Sequence, residues 1–285
     1  MNIILFGEDI FTATVLQSLI KGKHVISAVI CPLYHGSTVY KGLEQTANKN
    51  NIPFLRVKNV NAFEITDRLI EIKPDLIISV HIKVILLKEV YALAKKGAIN
   101  IHPSLLPKYR GLSPHHQALL QGDKVTGVTI HFIDEKPDTG DIILQEKISL
   151  DENTSIFELQ IKMLSIYKYL ILQAVELIEK NEVTRIKQDP TQASWYGRLK
   201  RSDMEIDFRK TKLEIYNLIR AVSKPYGGAY HNGLTLWTSV IPDRQTENKL
   251  MDEFPLTGIY YVGDQVIIRL HDGVLQSDDF ENKVL

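Results

Sequence analysis

In the stretch AINIHPSLLPKYRG, residues 98 to 111, Asn100 and His102 stand two positions apart at the end of an apolar run, and a loop stiffened by two prolines follows. Histidine is the side chain best suited to proton transfer near neutral pH. An asparagine amide can donate to an oxygen that becomes negative during acyl transfer. Further along, DEKPDTGD carries Asp138, and a carboxylate beside an imidazole orients the ring and favours its charged form. Converging at one sheet end, the three would serve acyl transfer. No Ser or Cys nucleophile accompanies them, so direct transfer between two substrates is the simpler scheme. On spacing alone, the same residues also suit a satisfied turn at a strand end and a solvated acidic loop.

The flanking pattern supplies the scaffold. NIILFG reads as a strand, EDIFTATVLQSLIKGKH as a helix and VISAVIC as a second strand, a βαβ unit. The alternation continues through GLEQTANKNN, IPFLRV, NAFEITDRLIEIK, PDLIISV, LLKEVYALAKKG and AINIH. This predicts an α/β fold with a doubly wound, Rossmann-like, mostly parallel sheet, in which ligands bind beyond the carboxyl ends of the strands. Asn100 and His102 occupy one such end. GVTIHFID and DIILQEKISL read as further strands. The run from Thr154 to Asn181 reads as a long helix, with Ser155 and Glu158 spaced for a capping box. His115 and His116 are expected on the surface of the helix after the proline loop. The C-terminal segments GAYHNGLTLWTSVI and LTGIYYVGDQVIIRLHDGVLQSDDF show short strands broken by N-G, G-D and D-G turns, a β-rich pattern. We expect a catalytic domain over residues 1–190 and a small β-rich, OB-like domain over 191–285.

Several classes are disfavoured. The first strand ends in a lone Gly7, with no G-x-G-x-x-G and no Walker A motif anywhere. The single cysteine, Cys31, suits a reducing cytosol and a small core position, and structural zinc is not expected. Lys+Arg equals Asp+Glu at 34 each, so bulk nucleic-acid binding is not expected. No apolar run is long enough for a bilayer span, and the N-terminus meets Glu8 and Asp9 early, unlike a secretory leader. A cytoplasmic protein without a membrane or nucleic-acid partner is the expectation.

The segment NIHPSLLPKYRGLSPHHQALLQGDKVTGVTIHFIDEKPDTGDIILQ resembles the formyltransferase family that uses 10-formyltetrahydrofolate. That family includes glycinamide ribonucleotide formyltransferase, methionyl-tRNA formyltransferase and the N-formyltransferases of nucleotide-linked amino sugars. SWYGRLKRSDMEIDF, EIYNLIRAVSKPYGGAY and LTLW are similar to the C-terminal part of the tRNA and sugar members, particularly the UDP-4-amino-arabinose formyltransferase domain.

The resemblance implies that a substrate amine attacks the formyl carbon on N10 of the folate, with no metal involved. It implies His102 as general base, Asn100 as oxyanion donor, and Asp138 as the carboxylate that holds His102 and helps relay the proton. Ser104 would brace the loop. Folate would lie between HIKVILL and IDEKPD, flanked by Ile82, Lys83 and Ile85 and by Ile133, Asp134, Glu135 and Pro137. His131 matches a family position near the site, though a solvent-facing strand histidine fits it equally.

Two departures from the tRNA members stand out. Their basic insertion after the second strand is replaced here by the nearly uncharged CPLYHGSTVYKG, and their larger basic tail by a short one containing QSDDFE. A small anionic acceptor is therefore expected, a nucleotide-linked amino sugar, with a dTDP-linked 4-amino-4,6-dideoxyhexose favoured and surface polysaccharide (lipopolysaccharide O-antigen) synthesis as its destination. Such an acceptor needs an aromatic face and cations; Trp195, Arg198, Arg220 and Tyr226 are the candidates, with Tyr226 stacking on the base. The resemblance also implies a homodimer. Methionyl-tRNA formyltransferase is the alternative enzyme, and a folate-binding scaffold the non-enzymatic one.

Overall fold

The computed structural model describes residues 1–33 and 39–282; part of CPLYHGSTVYKG therefore lies outside the described residues. The strands of the N-terminal portion are β1 (Asn2–Phe6), β2 (Val25–Pro32), β3 (Phe54–Val57), β4 (Leu76–Val80), β5 (Ala98–His102), the short β6 (Arg110–Gly111), β7 (Val125–Phe132), β8 (Ile142–Ser149) and the two-residue β9 (Trp195–Tyr196). Seven of them form one sheet in the order β3-β2-β1-β4-β5-β7-β8. The first five run parallel, and β7 adds antiparallel to β5. β4 is buried along its whole length and β1 along all but its first residue, as expected for strands covered on both faces. Cys31 sits buried near the end of β2, where burial pushes its thiol up to about 11, so it is no nucleophile at neutral pH.

The connecting helices are α1 (Ile10–Ile20), α2 (Lys41–Lys49), α3 (Phe63–Ile72) and α4 (Lys88–Tyr91). Asp9 caps α1 by accepting from the Thr12 N–H. The helix expected over LLKEVYALAKKG is corrected to the single turn α4; beyond Tyr91 the chain runs in turns that tie Lys95 and Lys96 N–H to Pro74 and Asp75 carbonyls.

The chain divides into two compact units that interleave along the sequence. The first comprises residues 1–112, 127–148 and 162–196; the second comprises 113–126, 149–161 and 197–285. In the second unit α5 (Pro114–Leu120) packs on α7 (Lys212–Ala221); the long helix α6 (Ile156–Lys180) starts there with the expected capping box, Ser155 and Glu158 each accepting the other's backbone N–H. His116, expected on the surface, is instead buried, because it lies on the face of α5 turned to α7 and bonds the Ala221 carbonyl at 2.7 Å. The remaining strands are antiparallel: β10 (Ala229–His231), β11 (Leu234–Leu236) and β15 (Phe280–Asn282) form one sheet, and β12 (Gly258–Val262), β13 (Gln265–Leu270) and β14 (Gly273–Ser277) another. One further helix, α8 (Arg244–Glu253), capped by Asp243, was not anticipated from the sequence.

Candidate active site

Asn100 and His102 are two apart on β5 and therefore project from the same face at its carboxyl end. The antiparallel register places His131 of β7 directly opposite Asn100 and Thr129 opposite His102. The loop after β7 then brings Asp138 onto the same face. Its Oδ1 lies 3.4 Å from Asn100 Nδ2, 3.5 Å from His102 Nδ1 and 3.5 Å from His131 Nε2. The structure thus assembles Asn100, His102 and Asp138, and adds His131, which is buried rather than solvent-facing.

Proton positions follow from the partners. His102 Nε2 faces the Tyr109 carbonyl at 2.8 Å, and a carbonyl only accepts, so Nε2 carries the hydrogen. In neutral His102 the free lone pair is on Nδ1, toward Asp138. His131 Nδ1 likewise donates to the Phe132 carbonyl at 2.8 Å, which leaves His131 Nε2 to accept from the Asn100 amide at 3.2 Å. The Asn100 NH2 is therefore turned into the site. Its two bonds, at 3.2 and 3.4 Å, are long enough to yield to a better acceptor.

Burial is the largest influence on His102 and lowers its pKa below the usual value, with Asp138 and the Tyr109 carbonyl opposing. The ring is thus held in its basic form at neutral pH. For Asp138, burial alone would raise the pKa. Once protonated, His102 and His131 favour the carboxylate by their charge, and with the Gly111 N–H, which donates to Oδ2 at 2.8 Å, they outweigh burial and hold the carboxyl well below the usual carboxylate range. A neutral base therefore faces a carboxylate, and a proton taken up at Nδ1 would form an ion pair with it.

The backbone around the site is braced by residues that carried no sequence signal. Tyr109 adopts φ +60°, a left-handed conformation rare for a bulky residue; Thr129 Oγ1 donates to Ser104 O and accepts from Leu106 N–H. Ser104 Oγ donates to Lys108 O, the bracing role expected of it. Gln188 donates to the carbonyls of Asp138 and Gly140 and accepts from Arg110, and Ser194 Oγ accepts the Tyr109 N–H.

Beyond β4 the residues expected to flank a pterin lie as follows. Ile82 and Ile133 pack against one and the same buried cluster that includes Phe6, Leu86 and Val90. Ile85 is exposed, as are its neighbours Val84 and Leu87. Lys83 pairs with Glu8, whose Oε2 is buried with no hydrogen-bond partner among the described residues. Asp134 Oδ1 is taken by the Thr139 hydroxyl and the Lys136 N–H, Glu135 lies 3.8 Å from Lys88, and Pro137 is exposed. The four acceptor candidates divide between the units: exposed Trp195 belongs to the first, whereas exposed Arg198, buried Arg220 and half-buried Tyr226 belong to the second.

Comparison with known proteins gives these positions their family. The formyl transferase family model matches residues 1–175, and the C-terminal domain of formyl transferases matches residues 198–282. The chain belongs to the formyltransferase family. It is 30% identical over 99% of its length to methionyl-tRNA formyltransferase of Fusobacterium nucleatum, covering 93% of that protein. It is 33% identical over 85% of its length to the bifunctional polymyxin resistance protein ArnA of Wigglesworthia glossinidia brevipalpis, of which it spans 38%. Among solved structures, WlaRD, a sugar 3N-formyltransferase solved with dTDP and 5-N-formyl-THF, superposes with a TM-score of 0.75 at 23% identity, over 97% of each chain. An N-formyltransferase of Helicobacter canadensis, in complex with folinic acid and dTDP-3-aminofucose, gives the same TM-score and identity over 98% of this chain and 99% of that one. At this identity the likeness fixes the fold of the formyltransferase.

Proposed function

We propose that this formyltransferase moves a formyl group from 10-formyltetrahydrofolate to the amine of a nucleotide-linked amino sugar. The observation that carries the chemistry is that Asp138 Oδ1 lies within 3.5 Å of both Asn100 Nδ2 and His102 Nδ1 at the end of β5. The folate fits the residues present. The exposed apolar edge of Val84, Ile85 and Leu87, with Ile82 and Ile133 beside a common core, suits the flat face of a pterin, and the orphaned Glu8 Oε2 offers an acceptor for ring N–H groups. The folate supplies the formyl group; the protein's residues orient it and handle charge and protons. Asn100 donates from Nδ2 to the formyl oxygen as negative charge develops there. His102 takes the proton of the attacking amine at Nδ1 and Asp138 stabilises the resulting imidazolium; as the tetrahedral adduct collapses, the formyl C–N10 bond breaks and that proton passes to N10, releasing tetrahydrofolate.

The choice of a sugar acceptor rests on charge and on likeness. The chain is neutral overall, and the segment after β2, CPLYHGSTVYKG, is nearly uncharged; a tRNA-binding surface needs a basic footprint. Both structural neighbours described above, which match nearly the whole chain, were solved with dTDP or dTDP-3-aminofucose. Arg198 remains a candidate for the acceptor's diphosphate. A second reading, methionyl-tRNA formylation, is favoured by the sequence relative in Fusobacterium.

Full-length protein incubated with 10-formyltetrahydrofolate and either dTDP- and UDP-linked 3-amino and 4-amino sugars or charged initiator tRNA distinguishes the two. Mass spectrometry should find N-formyl sugar. Formylation of the tRNA alone overturns the sugar reading; folate binding without turnover on any acceptor overturns both in favour of a scaffold.

A further inference from the structure

The second unit contains a cavity of about 530 Å³ lined entirely by its own residues, none of them in the catalytic set. Its most unusual wall is Arg220, only 8% exposed, at the end of α7. The guanidinium donates from Nε to Asn217 Oδ1 at 2.9 Å and from Nη1 to the carbonyls of Asp151 and Thr154 at 3.3 and 3.1 Å. All three acceptors are neutral, and among the described residues Arg220 has no ion pair. Among the described residues Nη2 has no acceptor; Glu152 acts on the guanidinium only through space, and the Tyr216 ring centroid lies 6.0 Å from its Cζ. A buried cation lacking a counter-ion is costly unless something anionic completes it.

The rest of the lining repeats this incompleteness. Lys224 Nζ bonds both oxygens of Asp279 at 2.8 and 2.9 Å, so that pair is neutral and Arg220 leaves the cavity net positive. Trp237 is fixed through its edge, Nε1–H donating to the Tyr226 carbonyl at 3.3 Å, with Lys224 Nζ 4.8 Å from its ring centroid. Its indole thus presents a held aromatic surface, and exposed Phe157 lines the same space. Ser239 Oγ is buried with no hydrogen-bond partner among the described residues.

We propose that this cavity is a binding site for a nucleoside diphosphate, with the phosphate on Arg220 and the base against Trp237. A cation that lacks a counter-ion calls for phosphate, aromatic walls call for a planar base, and the volume is in the range of small-ligand sites. Asp and Glu outnumber Lys and Arg in the segments of this unit, which disfavours a polynucleotide in the same place. The nucleotide can come from the acceptor itself or from a separate effector, and the site does not depend on which.

Isothermal titration of the full-length protein with dTDP, UDP, thymidine and pyrophosphate tests this without turnover. The diphosphates should bind, and thymidine and pyrophosphate alone should bind at least about tenfold more weakly. Trp237→Leu and Lys224→Ala, both outside the core, should weaken one binding event, Trp237→Leu by about tenfold. Arg220→Met should abolish it, and circular dichroism would show whether that variant has kept its fold. A raised acceptor KM in Trp237→Leu identifies the acceptor as the source; an unchanged KM with lost dTDP binding identifies an effector. Absence of nucleotide binding by the wild type, or binding that Trp237→Leu and Lys224→Ala both leave unchanged, overturns the proposal.

Discussion

His102 donates through Nε2 to the Tyr109 carbonyl at 2.8 Å, and this contact, rather than the carboxylate, sets the ring's tautomer. It turns Nδ1, the only nitrogen able to accept a proton, toward Asp138. Replacing His102 by Asn should lower kcat by at least about 10²-fold, the usual contribution of a general base. Folate affinity, measured by fluorescence titration, should change little. An active His102→Asn enzyme would contradict the assignment.

The pH profile carries the sign of the burial effect. His102 must be neutral to act as a base, so kcat/KM should fall as pH drops through its pKa. Burial places that pKa below the ordinary histidine value of 6.5, and the acid limb should lie there. Asp138 raises the His102 pKa, so Asp138→Asn should shift the limb further to acid while lowering the plateau, since the imidazolium loses its partner. A limb that moves to higher pH in Asp138→Asn would show that the carboxylate does not act on His102.

The Asn100–His102 pair draws attention because strands have a period of two and carboxyl ends of parallel strands are where ligands bind, but spacing alone also suits a strand-end turn, and the tie to Asp138 and the roles come from the family resemblance. The pair Asn100 and His102 and the long helix with its Ser155–Glu158 box follow from local pattern. The rest depended on information that a linear pattern does not carry. The register that sets His131 opposite Asn100 is a pairing between segments thirty residues apart, and the Tyr109 carbonyl acts through a backbone angle. His116 reads as polar, yet a distant carbonyl, that of Ala221, satisfies it in the interior. Gln188 and Ser194 are common loop residues that become braces only once β9 lies beside β6. Helix α8 has almost no buried face, so the apolar periodicity that reveals helices was missing.

Gly111 is required twice over. It adopts φ +94°, and a Cβ there would stand 2.3 Å from the Tyr196 carbonyl oxygen across the β6–β9 pair. Gly111→Ala should destabilise the protein by about 1–3 kcal/mol, read as a lowered thermal midpoint. Because the same residue's N–H holds Asp138 Oδ2, kcat should fall with it. Unchanged stability together with full activity would show that this strand pair gives way freely.

His131 is the group that sets the direction of the Asn100 amide. Its Nδ1–H is fixed on the Phe132 carbonyl, so Nε2 accepts from Asn100 and turns the amide nitrogen into the site. His131→Phe keeps a ring of similar shape but removes the acceptor, and the amide is then free to rotate its oxygen inward. We expect kcat to drop by about tenfold or more, below the effect of losing the donor altogether in Asn100→Ala. The KM for folate should hold in His131→Phe, because the apolar edge at Val84, Ile85 and Leu87 is untouched. His131→Gln, which can again accept, should recover part of the rate. A purely structural role predicts otherwise: His131→Phe and His131→Gln would lose stability and activity in parallel, and the Gln variant would show no advantage in kcat over the Phe variant.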